Sequence, residues 1–308
     1  MKSDSLKKGD IVDIIAPSYG INIEEIKLIE KYIKSLGLRP RIPVTLIGKD
    51  LFCSNSVEYR FKHIKQALTS EDSKAVWCVR GGYGAAQLMP YLAKLKSPKK
   101  QKIFIGFSDI TVLHIFLNQK WGWQTIHAPV LWQVIHKKVD NKSLKQLKEL
   151  LFGKKKQVII DDLVPLNATA KKAARIKSSV VGGNLSLIQT SIGTNWQLEA
   201  KGKILLIEDT DEKTYSYDRM LMHIKQAGLL KGIKALIIGD FKHHKDEKQR
   251  VENMLKSFAE SLNIPILKTE LIGHGITNYP LVIGADSVLD VGKSFVLSIN
   301  CHRLIDVN

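Results

Sequence analysis

Cysteine is scarce: Cys53, Cys78 and Cys301 are the only three in 308 residues, an odd number without CxxC spacing. That excludes a disulfide framework and makes a reducing, cytoplasmic setting the expectation. No stretch approaches the roughly 18 consecutive apolar residues of a membrane span. The opening MKSDSLKKGD is basic but lacks the apolar core of a secretory signal, so no membrane partner is expected. There is no HExxH and no Cys/His cluster with metal-ligand spacing, so neither a metal nor another cofactor is expected. Acidic residues are outnumbered, 30 against 47 basic ones, for a net charge of +17. The excess is mostly lysine spread along helix faces (Lys94, Lys96, Lys99, Lys100, Lys154 to Lys156). Glycine-aromatic RNA-binding signatures, C2H2 spacings and a convincing helix-turn-helix are missing. The charge therefore reads as a solvated lysine-rich surface, with no nucleic acid as partner. What remains is ordinary for a globular protein, 44% hydrophobic and 25% charged. The length suits two modest domains or one large one.

The first half alternates short apolar runs with helical patterns. IVDIIAP (11–17) reads as a buried strand, and NIEEIKLIEKYIKSLG (22–37) as a helix with Ile23, Ile26, Ile29, Ile33 and Leu36 on one face and Gly37 at its end. EYRFKHIKQAL predicts a helix, AVWCV (75–79) a strand, AAQLMPYLAKL a helix bearing Pro90, KIFIG (102–106) a strand, and ITVLHIFLNQKWG a helix. This rhythm predicts a mainly parallel sheet with helices on its faces. The pattern weakens at 138–175, where one short amphipathic helix, a lysine run and a loose polar stretch are read as a connecting segment between an amino-terminal domain (1–137) and a carboxy-terminal one (176–308). The second half is mixed α/β, with strands at KILLIED and KALIIGDF, and ends strand-rich in SVLDVGKSFVLSI.

Four stretches carry candidate chemistry. In IFIGFSDITVLHIF (103–116), Ser108 follows a strand and precedes a helix, so it is presented at the carboxyl end of the sheet, where open α/β folds bind ligands. A strand–turn–serine–helix is the geometry of a nucleophile elbow, although Ile110 stands where G-x-S-x-G has its second glycine. The same pattern also describes an N-cap serine. VRGGYGAAQ (79–87) lets the backbone approach a phosphate or an oxyanion, or simply makes a tight β-α turn. ILLIEDTDEKTYSYDRML (204–221) puts Glu208 and Asp209 at a strand end, where a buried acid needs a partner such as histidine. In TELIGHGITNYP, His274 stands between Gly273 and Gly275, which suits neither a core nor a helix face but an irregular loop that lets the ring project. His127 in TIHAPV and His136 are its rivals. His63, His114 and His223 sit on helical patterns, His243 and His244 in a charged stretch, and His302 near the end. Serine, acid and histidine in that order make a candidate hydrolytic triad, with His274 taking the proton of Ser108 and Glu208 fixing the imidazole tautomer.

IIAPS, RGGYG, GFSDIT, VVGGNLSLIQTSIGT, IEDTDEKTYSYDRML and IGHG occur in the order and spacing of the LD-carboxypeptidase family. The chain resembles these serine peptidases, which include muropeptide-trimming enzymes and microcin C self-immunity proteins, over about residues 8 to 292. The resemblance implies a Rossmann-like amino-terminal domain with the serine, a strand-rich α/β carboxy-terminal domain with the acid and base, and a cleft between them. By motif, Ser108 matches the nucleophile, Glu208 the orienting acid and His274 the base, with the backbone N–H groups of Gly82 and Asp109 as the oxyanion hole. TIHAPV departs from the family in having Ala128 where glycine is expected, which puts the local turn in question. The implied substrate is a small peptide, a murein tetrapeptide losing its terminal D-alanine. Arg80 and Arg219 are candidates to hold its carboxylate; for Arg219 a helix-surface pairing with Asp218 or a neighbouring acid is the alternative. A microcin-type peptidase, cleaving a peptide–nucleotide amide over an aromatic platform, is the second reading within this chemistry. A phosphate- or nucleotide-binding α/β protein is the alternative of another class. Family members are often dimers, which makes a homodimer an expectation.

Overall fold

The computed structural model describes residues 3–243, 245–302 and 304–306; His244, read above as part of a charged stretch, lies outside them. Their strands build two main sheets. The six-stranded sheet runs, edge to edge, Leu281–Ile283, Thr125–His127, Ile103–Gly106, Ser73–Cys78, Ile11–Ile15, Arg39–Arg41. All its pairings are parallel except the one between Leu281–Ile283 and Thr125–His127. This is the parallel α/β layer that the alternating pattern predicts. The eight-stranded sheet has a parallel centre, Ala174–Asn184, Ile204–Thr210, Ala235–Lys242 and Ile266–Gly273, flanked by antiparallel strands. The fold is thus a parallel-rich α/β layer joined to a mixed, strand-rich one.

Local chemistry sets the helix limits. The helix Ile23–Ser35 opens with a capping box: the Asn22 side chain accepts from Glu25 N, and the Glu25 carboxylate accepts from Asn22 N, both at 2.8 Å. Ile29 and Ile33 of its apolar stripe are buried, whereas Ile23 is exposed in the first turn. The helix Thr111–Trp121 ends on Gly122 in the left-handed conformation (φ 68°). The single helix expected around Pro90 is two short pieces instead, a 3-10 turn Ala85–Leu88 and the helix Met89–Leu92, with Pro90 in the first turn of the second. A proline inside a longer helix would remove an N–H and clash with the preceding turn, which is the physical reason for the split.

Residues 138–175 form the short amphipathic helix expected there and, besides it, strands that their weak pattern does not mark. The helix Asn141–Leu151 is capped by Asp140, and Gln157–Ile160 and Val164–Pro165 are the two edge strands of the eight-stranded sheet. Edge strands are short and have one neighbour, so little hydrophobic pattern marks them. Leu281–Ile283 returns from the second half of the sequence to close the first sheet, and Asn184 N donates to Thr111 Oγ1 (3.0 Å) from one half to the other. These stitches bring the carboxyl ends of the strands Ile103–Gly106, Ile204–Thr210 and Ile266–Gly273 to one place. Among the described residues no helix is long and apolar enough to cross a membrane.

Candidate active site

Ser108 leaves the strand Ile103–Gly106 through a turn so sharp that its own backbone is left-handed, φ 65°. That region is costly for a residue with a Cβ and persists where surrounding structure enforces it. Gly106 makes the turn feasible, since a Cβ there would stand 2.7 Å from Ile110 Cγ2. The strain lifts the hydroxyl out of the sheet at the start of a 3-10 turn, Ser108–Ile110, that runs into the helix Thr111–Trp121. This is the geometry of a nucleophile elbow; the Phe107 backbone precedes it as the cap, and Ser108 makes no side-chain cap.

The hydroxyl meets an imidazole. His274 Nε2 lies 3.0 Å from Ser108 Oγ, and His274 Nδ1 lies 2.6 Å from Glu208 Oε2. Glu208 is fully buried, and the His274 side chain is 13% exposed. Burial works against the charged form of Glu208, but the imidazole beside it prevails and holds the carboxyl below its ordinary range. Burial likewise opposes protonation of His274, and the Glu208 carboxylate outweighs it, raising the imidazole above its ordinary value. An ionised carboxylate only accepts, so Nδ1 carries the proton and Nε2 is left to accept from the serine. The Phe107 ring covers His274 at a centroid distance of 4.6 Å. Hydroxyl, imidazole and carboxylate in this sequence can move a proton off Ser108.

The two acids of the IED run take different main partners, at a point where the strand register shifts. Asp209 accepts from Asn184 Nδ2 (3.0 Å), Ser186 N (2.9 Å) and Ser186 Oγ (2.8 Å), at the start of the helix Leu185–Ser191, and burial pushes its pKa up to about 6. Asp240, across from Gly273 in strand register, lies against the loop that carries His274.

The glycine-rich loop closes over the serine. A Cβ on Gly81 would stand 2.9 Å from Ser108 Cβ, and one on Gly82 would enter the Tyr19 ring. The backbone therefore approaches the Ser108 hydroxyl as only glycine permits. Asp109 N–H, at the start of the 3-10 turn, is among the amides for which a helix has no internal acceptor. The Asp109 side chain, which sequence reasoning passed over, ties two loops to this turn: its Oδ2 accepts from Ser18 Oγ (2.5 Å) and Ala85 N (2.8 Å). Arg60, also missed and fully buried, donates to Pro17 O (2.8 Å) and Gly84 O (2.9 Å). Neither residue carries a sequence signal, because the loops it ties together lie 24 or more positions away. An acid on Ala85 N also occupies the amide that a phosphate on this loop would seek, which disfavours the nucleotide-binding alternative.

The two arginines part company. Arg80 adjoins Gly81, and its guanidinium lies 4.5 Å from the Trp132 ring centroid and 5.7 Å from that of Tyr19. No carboxylate lies within ion-pair distance of it among the described residues. Arg219 is exposed on the helix Thr214–Gln226, and its contacts are with Tyr215 and Ser216 of that helix; the pairing with Asp218 does not form. Of the rival histidines, His136 binds Glu25 (2.6 Å), away from the serine. His127 is buried beneath Phe107. Ala128 accommodates the turn without strain, its N–H donating to Gly106 O at 3.0 Å.

Residues 12–128 match the family model of the LD-carboxypeptidase N-terminal domain, and residues 177–289 that of the LD-carboxypeptidase C-terminal domain. A Rickettsia conorii protein with a provisional carboxypeptidase name is 42% identical over 93% of this chain and 90% of its own length. Among solved structures, the muramoyltetrapeptide carboxypeptidase from Oxalobacter formigenes superposes with a TM-score of 0.82 at 25% identity, covering 94% of this chain and 98% of that one. An MccF-like protein from Bacillus anthracis gives 0.84 at 23% identity, covering 97% and 99%.

Proposed function

The chain belongs to the LD-carboxypeptidase family, and from that premise we propose that it is a serine peptidase that releases the terminal D-alanine from murein tetrapeptides during peptidoglycan recycling. The observation that carries this reading is the hydrogen-bonded line Ser108–His274–Glu208, assembled from distant parts of the sequence. Ser108 Oγ attacks the carbonyl carbon of the L-centred residue while His274 Nε2 takes its proton. The oxyanion forms toward the N–H groups of Gly82 and Asp109. As the intermediate collapses, the C–N bond breaks and His274 returns the proton to the amine of the departing D-alanine. A water, deprotonated by His274, then cleaves the acyl-enzyme. Arg80, without an ion partner and next to the oxyanion loop, holds the free carboxylate of the substrate.

The tryptophans offer more to a muropeptide reading than to a peptide–nucleotide amide. Trp77, Trp121, Trp123 and Trp196 are buried, and the Trp132 face is occupied by Arg80. A nucleobase finds no tryptophan platform among them. The test is mass spectrometry of a tetrapeptide panel after incubation with the protein, alongside an aminoacyl-nucleotide amide. Loss of D-alanine from the L-Lys-D-Ala or diaminopimelate-D-Ala peptide is expected. Turnover of the nucleotide amide alone would transfer the site to the microcin-type reading.

A further inference from the structure

On the reading of the site given above, we infer that Asp240 is a specificity residue, its carboxylate receiving the distal ammonium of the diamino residue whose carbonyl Ser108 attacks. Asp240 stands near the end of the strand Ala235–Lys242, in register with Gly273, the residue before His274. The packing there is close. A Cβ on Gly273 would lie 3.0 Å from Asp240 Cβ, and one on Gly275 would lie 2.9 Å from Asp240 Oδ2. The glycines on both sides of His274 therefore leave room for this one acid. From between them His274 reaches Ser108, with Nε2 3.0 Å from Oγ. The loop that packs on Asp240 is thus the loop that delivers the imidazole to the nucleophile. A residue acylated on Ser108 has to reach past one imidazole to meet Asp240, and an ammonium on a flexible four-carbon stem suits that span.

The charges around Asp240 are matched with one another and leave it over. Glu208 holds His274 at 2.6 Å, and Lys268 lies 3.3 Å from Glu270. Asp209 is held by Asn184 and Ser186. Among the described residues the Asp240 side chain has no hydrogen bond and no ion pair; Glu208, Glu270, His274 and Lys268 act on it only through space. It is half-buried, open to solvent on one side. An ionised carboxylate accepts and never donates, so Asp240 has given up part of its water without gaining a donor. Burial, then Glu208 and Glu270, push its pKa up, and a bound cation would relieve that. Arg80, beside the oxyanion loop, is in the opposite condition, a guanidinium with no carboxylate partner among the described residues. A free cation from the first sheet and a free anion from the second therefore border one nucleophile. They are complementary to a substrate with a carboxylate on the departing residue and an ammonium on the acylated one. A peptide with a neutral third residue satisfies only Arg80.

The experiment measures kcat and KM for D-alanine release from tetrapeptides that differ only in the third residue: L-lysine, diaminopimelate, norleucine or Nε-acetyl-lysine. Norleucine keeps the stem without the amine, and acetylation keeps the nitrogen without its charge. Wild type, Asp240→Asn and Ser108→Ala are compared. Wild type is expected to prefer L-lysine over norleucine and over acetyl-lysine by about tenfold or more in kcat/KM, the worth of a charge-assisted hydrogen bond. In Asp240→Asn that ratio is expected to collapse toward unity, because KM rises on the L-lysine and diaminopimelate peptides and far less on the neutral ones. Equal use of L-lysine and norleucine by wild type would overturn the inference. A preference that survives in Asp240→Asn would also overturn it, by placing the amine elsewhere. So would a uniform loss on every peptide carried by kcat, which leaves Asp240 as electrostatic support for His274. If Asp240→Asn does not fold, Asp240→Ser takes its place with the same expectation, and the wild-type ratios stand without either variant. Activity surviving in Ser108→Ala, or no D-alanine from any peptide, would instead strike the reading of the site. Release from all the peptides at equal rates strikes only the inference.

Discussion

Adding one methyl group at Gly81 tests whether the glycine-rich loop is held against the nucleophile. A Cβ at Gly81 would lie 2.9 Å from Ser108 Cβ and 3.1 Å from its Oγ. Carbon atoms rest at about 3.5–4.0 Å, so the overlap is roughly half an ångström or more. Ser108 has little room to yield, because its φ of 65° is imposed by the turn and its Oγ is engaged by His274 at 3.0 Å. Either the hydroxyl rotates away from the imidazole, or the loop retreats and carries the Gly82 N–H with it. Both misplace a reacting group by a fraction of an ångström to about 1 Å, a shift that costs about 10²-fold in rate. Overpacking costs about 1–3 kcal/mol of stability, a few degrees in Tm for a chain of this size. Gly81→Ala should therefore lower kcat about a hundredfold while Tm falls by only a few degrees. Gly122→Ala is the control: φ is 68° but nothing lies within 4 Å, so backbone strain of about 1–2 kcal/mol should appear in Tm with kcat unchanged. A Gly81→Ala enzyme within threefold of wild-type kcat would refute the close-approach argument.

Other predictions follow from the same geometry. Only neutral His274 takes the serine proton, and its pKa is raised above 6.5, so kcat/KM should fall as pH drops through a value above 6.5. Glu208→Gln removes the carboxylate that raises it; the limb should move to lower pH, with kcat reduced by about 10³–10⁴. An acid limb unchanged in Glu208→Gln would contradict the assignment. Wild-type enzyme should discriminate against the C-terminal amide and the L-Ala epimer of the tetrapeptide, and Arg80→Ala should lose most of the preference for free carboxylate while Arg219→Ala keeps it. Equal turnover of acid and amide by wild type would end the carboxypeptidase reading. Exhaustive EDTA treatment should leave activity whole; recovery only on adding zinc would point to a metallopeptidase.

Much of this arrangement was legible because its signals are local. A strand, a turn and a helix around Ser108 lie within fourteen residues, and the glycines flanking His274 announce a projecting loop. Glu208 and Asp209 were separable only in part: alternation says that they face opposite ways, but which one meets the histidine depends on how the second sheet packs on the first. The long-range ties left no mark. Arg60 looks like any arginine on an amphipathic helix, yet it is buried on carbonyls of two distant loops. His127 ends a three-residue strand whose far neighbour, Leu281–Ile283, comes from the other half of the sequence. Its burial follows from that crossing, which no periodicity records. The edge strands within 138–175 were hidden for a related reason, being short, the first of them directly after the lysine run 154–156.

The most direct test of the central claim is the kcat/KM of Ser108→Ala on a murein tetrapeptide, measured beside its melting temperature. The side chain sits at a strained turn and contributes little packing, so the fold should persist. Turnover should fall by about 10³-fold or more, as loss of a nucleophile demands. Near wild-type turnover by a Ser108→Ala protein that melts normally would show that Ser108 is not the nucleophile.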